Sequence, residues 1–182
     1  MPSILVSAAP YHIITYGVLL GTEVFQSFGA GIIQFKTLPR AQFSTLQQAT
    51  FPIYFSLQTA LPLLLALTLP TERTAIGTTP SSLPGVLHPS NRTPVLLPLT
   101  LNLLCAATNL LYLGPQTTSV MRERKHQETR DGKKSYDAGP HSAEMERLNR
   151  KFSWLHGAST VVNLVGIAAT VWYGFYLGQR MM

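Results

Sequence analysis

Polar side chains recur on single helical faces inside the apolar stretches of this chain, and they are the residues best placed to do chemistry. At about 100° per residue, one face of the first stretch carries a carboxyl group, Glu23. That face consists of His12, Tyr16, Glu23, Ser27 and Gln34, with Gln26 at its edge. The third stretch repeats the pattern with Asn102, Cys105 and Asn109, and the fourth with His156, Ser159, Asn163, Thr170 and Gly174. Polar groups recur at seven-residue steps in the interior of a left-handed helix bundle, so we expect these faces to meet.

Depth along the helices predicts where the polar groups lie. Counted at about 1.5 Å per residue, Gln58, Asn109 and Asn163 lie about 10 Å from one membrane face, and Glu23 lies near mid-depth. The predicted intramembrane polar cluster consists of Glu23, Gln26, Gln58, Asn102, Asn109 and Asn163, with His156 at its mouth. Its members either bind a ligand or make interhelical hydrogen bonds of about 0.6–2 kcal/mol each. Both interpretations stay open for Glu23, because a carboxyl group at that depth is either neutral or compensated by water or a cation.

No catalytic or metal-binding constellation is recognisable. His12 and His156 open helices at opposite membrane faces, about 30 Å apart, so they cannot share a haem or a metal. Cys105 is the only cysteine, which excludes an intrachain disulfide and a thiolate cluster. The chain lacks a phosphate-binding glycine loop, His-Glu-x-x-His and Gly-x-Ser-x-Gly. The sequence therefore predicts no enzyme, no cofactor and no metal site, with a haem- or metal-dependent membrane redox activity as the residual alternative.

The elements that must position the polar cluster are four apolar stretches, at 11–35, 51–69, 95–113 and 152–177. Each is near the ~20 residues with which a helix crosses a bilayer. We therefore expect an all-α membrane protein in which residues 1–182 form one domain. This domain is expected to be an antiparallel bundle of four transmembrane helices. Residues 70–94 are expected to form an irregular luminal loop. Residues 115–151 are expected to form a basic cytoplasmic link, a helical hairpin extension between helices 3 and 4.

Two local features refine the boundaries. The segment 39–48 is predicted to be a tight turn, and Pro52 after Phe51 suits the start of the second helix, where a proline costs no hydrogen bond. Pro115 is predicted to lie in the first turn of a helical continuation of the third span through Thr129.

Basic residues predict the orientation in the membrane. Eleven of the 14 Lys and Arg residues lie in the first and third links, and three, Arg73, Arg92 and Arg180, lie on the other side. The positive-inside rule then places links 1 and 3 in the cytoplasm and both termini in the lumen. Residues expected to set topology or contact lipid headgroups are Lys36, Arg40, Arg122, Arg124, Lys125, Arg147, Arg150 and Lys151. The basic residues that raise the pI to near 9.7 therefore indicate attraction to a bilayer with anionic lipids and not binding of nucleic acid.

Targeting signals narrow the location. The segment before residue 13 has no Lys or Arg, and the first apolar stretch is too long for a signal peptide, so we expect that helix to be retained. An endomembrane of the endoplasmic reticulum or secretory pathway, or the plasma membrane, is expected, while a mitochondrial membrane stays open. The sequon at Asn91 would face the lumen, but it lies against the membrane and precedes Pro94, which disfavours glycosylation.

Small residues predict close helix packing. Gly17 and Gly21 are four residues apart on the first helix, as are Gly174 and Gly178 on the fourth. Glycines at this spacing let helix backbones approach closely in a membrane. These faces predict a homo-oligomer or a subunit of a larger membrane complex.

Three segments resemble one known family. They are FKTLPRAQFSTLQQATFPIYF at 35–55, NLLYLGPQTTSVM at 109–121 and HGASTVVNL at 156–164. Together they resemble the transmembrane protein 205 family, whose members are four-helix membrane proteins of the DUF4149 type. This resemblance implies a small polytopic protein of poorly defined biochemistry, linked to platinum-drug tolerance and so to export or vesicular handling of small cationic or metal-containing solutes. A more distant likeness to bacterial copper-resistance membrane proteins points the same way.

The chain departs from that family pattern at three positions. Glu23 stands where a Gln is often seen, and Gly114 and Gln116 flank Pro115 where an acidic and a basic residue are familiar. Two functions follow as alternatives: handling of small cationic or metal-containing solutes, or a non-catalytic accessory or scaffold subunit. Replacement of Glu23 should affect the first, and replacement of Gly17 the second.

Overall fold

The computed structural model describes residues 7–74 and 77–180, which are predominantly helical. Its elements in chain order are α1 (Ala8–Thr37), α2 (Arg40–Thr68), β1 (Glu72–Thr74), β2 (Gly77–Thr79), α3 (Ser82–Leu87), α4 (Pro89–Asp131) and α5 (Ala143–Gln179). Four of these helices, α1, α2, α4 and α5, are long and apolar enough to cross a membrane. The prediction of an integral, multi-pass helical membrane protein is therefore confirmed.

The turn between α1 and α2 is much shorter than predicted. Only Leu38 and Pro39 are non-helical, and α2 begins at Arg40, so the predicted turn at 39–48 is wrong. Leu38 is extended, with φ −102° and ψ 142°, because a residue before proline is held out of the helical region. Pro52 accordingly lies inside α2 and not at its start, as does Pro62. Prolines are tolerated within membrane helices, where neighbouring groups satisfy the freed carbonyls.

Helix α4 runs well past its apolar part, as the sequence predicts for the segment after Pro115. It starts with a 3₁₀ turn at Pro89–Asn91 and continues to Asp131, where Gly132 adopts a left-handed conformation with φ 62°. Helix α5 starts at Ala143, and the Ser142 hydroxyl caps it by accepting a hydrogen bond from the backbone N–H of Met145 at 3.2 Å. Near the start of α5, helices α4 and α5 pack through a cluster of buried apolar residues: Leu113, Val120, Leu148 and Leu155.

The segment between α2 and α4 is more regular than the predicted irregular loop. Strands β1 and β2 pair antiparallel, with Glu72 opposite Thr79 and Thr74 opposite Gly77. Helix α3 then folds back, and a Cβ atom at Gly85 would collide with the carbonyl oxygen of Pro80, so only glycine fits at this position. Because this segment is rich in turn-forming residues, its sequence predicted a loop, and the two short strands and the short helix were missed.

The four long helices have two distinguishable ends. At what we call the terminal end, the start of α1, the end of α2, the β1–β2 pair and the end of α5 meet. At what we call the basic end lie the α1–α2 turn and the extension of α4 and α5. The core nearer the terminal end is a cluster that includes Leu19, Leu65, Val95, Leu99 and Tyr173. Large apolar side chains such as Leu111 and Phe175 instead cover the outside, 75% and 73% exposed, as expected of a lipid-facing surface.

Candidate functional site: a polar cluster inside the helix bundle

Glu23 lies at the centre of the polar cluster. Its side chain is 0% exposed, and its Oε1 atom accepts hydrogen bonds from the amides of two other helices. Gln58 of α2 donates through Nε2 at 3.1 Å, and Asn102 of α4 donates through Nδ2 at 2.7 Å. Polar side chains in a hydrocarbon environment are costly unless they are paired in this way. The cluster therefore joins α1, α2 and α4 at the level of Glu23.

Asn102 connects the carboxyl group to the fourth long helix. Its Nδ2 atom lies 2.6 Å from Thr170 Oγ1 and 3.1 Å from the carbonyl oxygen of Gly166, both in α5. Asn102 and Thr170 are almost fully buried, at 1% and 3% exposure. The orientation of the Asn102 amide follows from these partners, because its NH₂ group is surrounded by oxygen acceptors. Its carbonyl oxygen, Oδ1, has no hydrogen-bond partner among the described residues.

Asn163 extends the network toward the basic end. Its Oδ1 atom accepts from Gln58 Nε2 at 3.2 Å and from the Tyr54 hydroxyl at 3.0 Å. Its Nδ2 atom donates to Ser27 Oγ at 2.9 Å, and Ser27 lies 3.1 Å from the Tyr54 hydroxyl. Ser27 lies in a π-helical segment of α1, Phe25–Ala30, a type of irregularity that is frequent at functional sites. One hydrogen-bonded network thus runs through all four long helices.

Three oxygen atoms of this network have no hydrogen-bond partner among the described residues. They are Glu23 Oε2, Gln58 Oε1 and Asn102 Oδ1, and each is shielded from solvent. All three side chains are at least nine-tenths buried. Because buried polar atoms are normally paired, three orphaned acceptors around one carboxyl group indicate a place for a donor or a cation.

The other predicted members of the cluster lie elsewhere. Asn109 is buried but donates to the carbonyl oxygen of Ser159 at 3.3 Å, in a separate contact between α4 and α5. Gln26 is half-buried beside the cluster, with its Nε2 atom shielded and unpaired among the described residues. His156 is exposed and stacks on Phe152 at 5.7 Å, so its predicted place at the mouth of the cluster is wrong. The neighbouring Leu155 is instead the residue that packs inward, in the cluster with Leu113, Val120 and Leu148.

Tyr54 and Tyr173 are polar contributors that sequence reasoning missed. Tyr54 joins Ser27 and Asn163, and the Tyr173 hydroxyl lies 2.7 Å from Nε2 of the buried His12. The other ring nitrogen of His12 lies 3.1 Å from Thr68 Oγ1, so both of its nitrogens are occupied. A tyrosine on a helix face is indistinguishable from an apolar core residue in the sequence, and no pattern could have found them.

The terminal end is closed by a second polar group. Arg180 lies 3.5 Å from Glu72, and the Tyr176 hydroxyl lies 3.1 Å from both Glu72 Oε2 and Asn91 Oδ1. Asn91 is 2% exposed, and its Nδ2 atom donates to the carbonyl oxygen of Gly85 at 2.9 Å. The side-chain nitrogen of Asn91, the atom to which a glycan would be attached, therefore lies in the folded interior.

A groove opens on the outside of the bundle between α1 and α2. Its volume is about 440 Å³, and its lining includes Gly21, Gln26, Thr50, Ile53 and Tyr54. Tyr54 separates the groove from the network, since its ring lines the groove while its hydroxyl bonds Asn163. The groove therefore lies one side chain away from the polar cluster.

The four predicted packing glycines fall into two groups. A Cβ atom at Gly174 would overlap the hydroxyl of Tyr16, so this glycine lets α1 approach α5 within one chain. Gly17, Gly21 and Gly178 have no atom within 4 Å of an added Cβ, so their surfaces are open. Gly174 and Gly178 thus do not share one external face.

Basic residues are held at the basic end by aromatic and acidic partners. Arg40 lies over the Phe35 ring at 4.0 Å, and Arg124 lies over Phe152 at 4.4 Å. The exposed surface of the extension carries further ion pairs, Arg147 with Glu144 at 2.6 Å and Arg150 with Glu146 at 3.7 Å. The remaining residues predicted to set topology or contact headgroups, Lys36, Arg122, Lys125 and Lys151, are exposed.

Glu128 is a partly buried carboxylate in this extension. Burial acts to raise its pKa, but hydrogen bonds from Ser135 and the charges of Lys134 and Lys125 together hold the pKa below its ordinary value. The backbone N–H of Ser135 donates to Glu128 Oε1 at 3.0 Å, and Lys134 lies 3.9 Å from Oε2. The turn after α4 is therefore tied to the helix through an ionised carboxylate.

Metal binding by the usual ligands finds no support in the described ranges. Within residues 7–74 and 77–180, no three His, Cys, Asp or Glu side chains lie close enough together to hold a metal ion. Cys105 is unpaired and half-buried on α4. At the level of Glu23 the network offers one carboxyl group and several amide and hydroxyl groups. The buried imidazole of His12 lies nearer the terminal end.

Comparison with known proteins adds a family and one named relative. The sequence profile of a family described as a domain of unknown function, DUF4149, matches residues 14–126. An Aspergillus fumigatus protein named xanthocillin biosynthesis cluster protein D is 31% identical over 173 residues, which cover 95% of this chain and 90% of the relative. No solved structure matches the chain significantly. The matched segment contains Glu23, Gln58 and Asn102, and the chain belongs to the DUF4149 family.

Proposed function

We propose that the chain handles a small cationic solute inside the membrane, with Glu23 as the residue that binds it. The observation that supports this most is a fully buried carboxyl group, one oxygen of which lacks a partner, inside a network that joins four helices. Glu23 is also the only Asp, Glu, Lys or Arg residue within the four apolar stretches. Ionisable residues in such positions commonly mark solute or proton pathways.

The network offers a physical link between binding and conformational change. Oε1 of Glu23 holds Gln58 of α2 and Asn102 of α4, so a cation bound to this carboxylate would change the contacts between helices. A ligand shifts a conformational equilibrium only through such differences in interaction between two states. The network is therefore suited to couple loading of Glu23 to helix rearrangement. We propose that the groove gives access from the bilayer when the Tyr54 side chain, which separates the groove from the network, moves aside.

We further propose the arrangement in the membrane. Short links between successive long helices favour an antiparallel bundle, with the α4–α5 extension as a helical hairpin. Clustering of Lys and Arg at the basic end favours a cytoplasmic location for this end and a luminal location for both termini. We place the protein in an endomembrane or the plasma membrane of a eukaryote and, more narrowly, in the transmembrane protein 205 group. The name of the Aspergillus fumigatus relative refers to a small-molecule biosynthesis cluster, which is compatible with solute handling.

Glu23→Gln tests the proposal, because it keeps the side-chain shape and removes the charge. The protein is reconstituted into liposomes, and uptake of a panel of small inorganic and organic cations is measured. We expect Glu23→Gln to abolish any uptake that the wild-type protein shows. Glu123→Gln is the matched control, since Glu123 is an exposed carboxylate on the extension of α4. Equal uptake by the Glu23 variant and the wild type would refute a role of Glu23 in solute handling.

A non-catalytic scaffold is the second candidate function. It is favoured by the open backbone surface at Gly17 and Gly21, which no side chain of the described residues covers. Glycines spaced in this way let another membrane helix approach closely. Gly17→Leu should then disrupt an oligomer or complex isolated in mild detergent, as measured by native mass spectrometry. An unchanged assembly would exclude this face as the contact.

A further inference from the structure

We propose that the carboxyl group of Glu23 and the side-chain oxygens of Gln58 and Asn102 form a binding site for one Na⁺ ion. This inference rests on the proposed solute-handling function and names the ion. It starts from the three orphaned oxygens, Glu23 Oε2, Gln58 Oε1 and Asn102 Oδ1, which belong to side chains of three helices joined by the hydrogen bonds to Glu23 Oε1.

Hydrogen bonds to one atom limit how far the oxygens lie from the carboxyl group. Gln58 Nε2 and Asn102 Nδ2 lie 3.1 and 2.7 Å from the same atom, Glu23 Oε1. Within an amide or carboxylate group the two polar atoms are about 2.3 Å apart, which places each orphaned oxygen within about 5.4 Å of Oε1. A small hard cation binds oxygens at about 2.4 Å, so the proposed site requires the three oxygens to lie within about 5 Å of one another when the ion is bound. Water can complete the coordination.

Charge determines the valence of the ion. The apolar stretches contain no Lys or Arg, so ionised Glu23 has no basic side chain beside it at mid-depth. One monovalent cation would neutralise the carboxylate, whereas a divalent ion would leave a net positive charge in hydrocarbon, at a large desolvation cost. The donors are carboxylate and amide oxygens, which suit hard ions, and not the thiolates or imidazoles that select soft metals.

The number of orphaned acceptors favours Na⁺ over a proton. A proton on Oε2 would give Glu23 one O–H donor, and this donor could satisfy one amide oxygen. The other amide oxygen would then remain buried without a partner, at a cost of about 1–3 kcal/mol. A single Na⁺ ion contacts all three oxygens at once. K⁺, a larger ion, prefers a larger shell of oxygens than Na⁺ does, so the same three side-chain oxygens favour Na⁺.

Binding of ²²Na⁺ to the purified, detergent-solubilised full chain tests the inference. We expect one Na⁺ per chain, displaced by unlabelled Na⁺ at concentrations at least tenfold lower than by K⁺. The midpoint of thermal unfolding should rise with NaCl and not with choline chloride at equal ionic strength. Glu23→Gln should abolish both responses, and the control variant Glu123→Gln should retain them. Gln58→Leu, which keeps the carboxyl group but removes one oxygen ligand, should weaken Na⁺ binding at least tenfold.

Specific outcomes would overturn the inference. They are absence of bound ²²Na⁺, equal stabilisation by Na⁺ and choline, or Na⁺ binding that survives in Glu23→Gln. If Glu23→Gln does not fold, the stoichiometry of the wild type and the affinity of Gln58→Leu decide the question. Loss of uptake in Glu23→Gln without any Na⁺ binding would refute the Na⁺ site and leave solute handling intact. Na⁺ binding by the wild type, together with unchanged uptake in Glu23→Gln, would support the Na⁺ site and refute solute handling through Glu23.

Discussion

The close contact between Gly174 of α5 and Tyr16 of α1 gives a quantitative prediction for Gly174→Ala. An added Cβ atom would overlap the Tyr16 hydroxyl and lie 2.8 Å from the Tyr16 Cζ atom. The Tyr16 ring cannot simply swing away, because it also packs edge-on against Tyr173, with ring centroids 6.1 Å apart. The substitution therefore forces the α1–α5 contact to open or the ring to leave its position.

Two opposing contributions set the magnitude. Alanine favours a helix over glycine by about 1 kcal/mol. Overpacking a well-packed contact costs about 1–3 kcal/mol. Gly157 lies in the same helix with open space around its Cα, so Gly157→Ala carries only the favourable contribution. We expect Gly174→Ala to be less stable than Gly157→Ala by about 1–3 kcal/mol.

Reversible unfolding by SDS, followed by circular dichroism or tryptophan fluorescence, measures this difference. Tyr16→Phe removes the nearest clashing atom, so it should recover part of the stability in the Gly174→Ala background. It should not recover all of it, because the Cζ atom remains. Equal stability of Gly174→Ala and Gly157→Ala would refute the reasoning. So would a Tyr16→Phe effect on stability that is the same in the wild type and in Gly174→Ala.

Two further predictions concern the ends of the bundle. Because Asn91 is buried and bonded to Gly85, we expect no N-glycan there, so glycosidase treatment should not change the electrophoretic mobility of the protein. The control is Pro80→Asn, which creates a sequon at an exposed position. A glycan at Asn91 would contradict the structure. The pKa of Glu128 is held below its ordinary value. Its ionised form therefore stabilises the extension at a pH above the ordinary pKa, and this stabilisation is lost as the pH falls through the lowered pKa. Glu128→Gln should therefore cost about 1 kcal/mol at pH 7 and nothing well below pH 4, and an equal cost at both pH values would contradict this.

The sequence was sufficient to predict four membrane helices and the polar faces that they carry. Unpaired backbone groups and unpaired charges are both excluded from hydrocarbon, so long apolar stretches and the rarity of charges within them are a strong signal. It also predicted that Glu23, Gln58, Asn102 and Asn163 would lie together, because polar groups buried in a bilayer must find one another. The helical continuation after Pro115 was predicted from ordinary helix-start preferences.

Other features depended on the rotation and length of each helix. The start of α2 at Arg40 was missed because hydropathy shows where a helix becomes apolar and not where it begins. His156 shares a helical face with Asn163, yet only Asn163 reaches the network, whereas His156 is exposed and stacks on Phe152. The π-helical segments in α1 and α4 add a further shift, because an extra residue in a turn rotates all later side chains by about 100°.

The sequence by itself thus determined that this chain has four apolar helices suited to a membrane, and that a lone carboxyl group must be accommodated among amides. Only the tertiary structure decided how that carboxyl group is bonded. Gln58 and Asn102 both donate to one oxygen of Glu23, and this geometry leaves three other oxygens without partners among the described residues. The physical reason is that helical periodicity fixes the face on which a side chain lies, whereas the partner of each polar atom depends on distances of a few tenths of an ångström between helices.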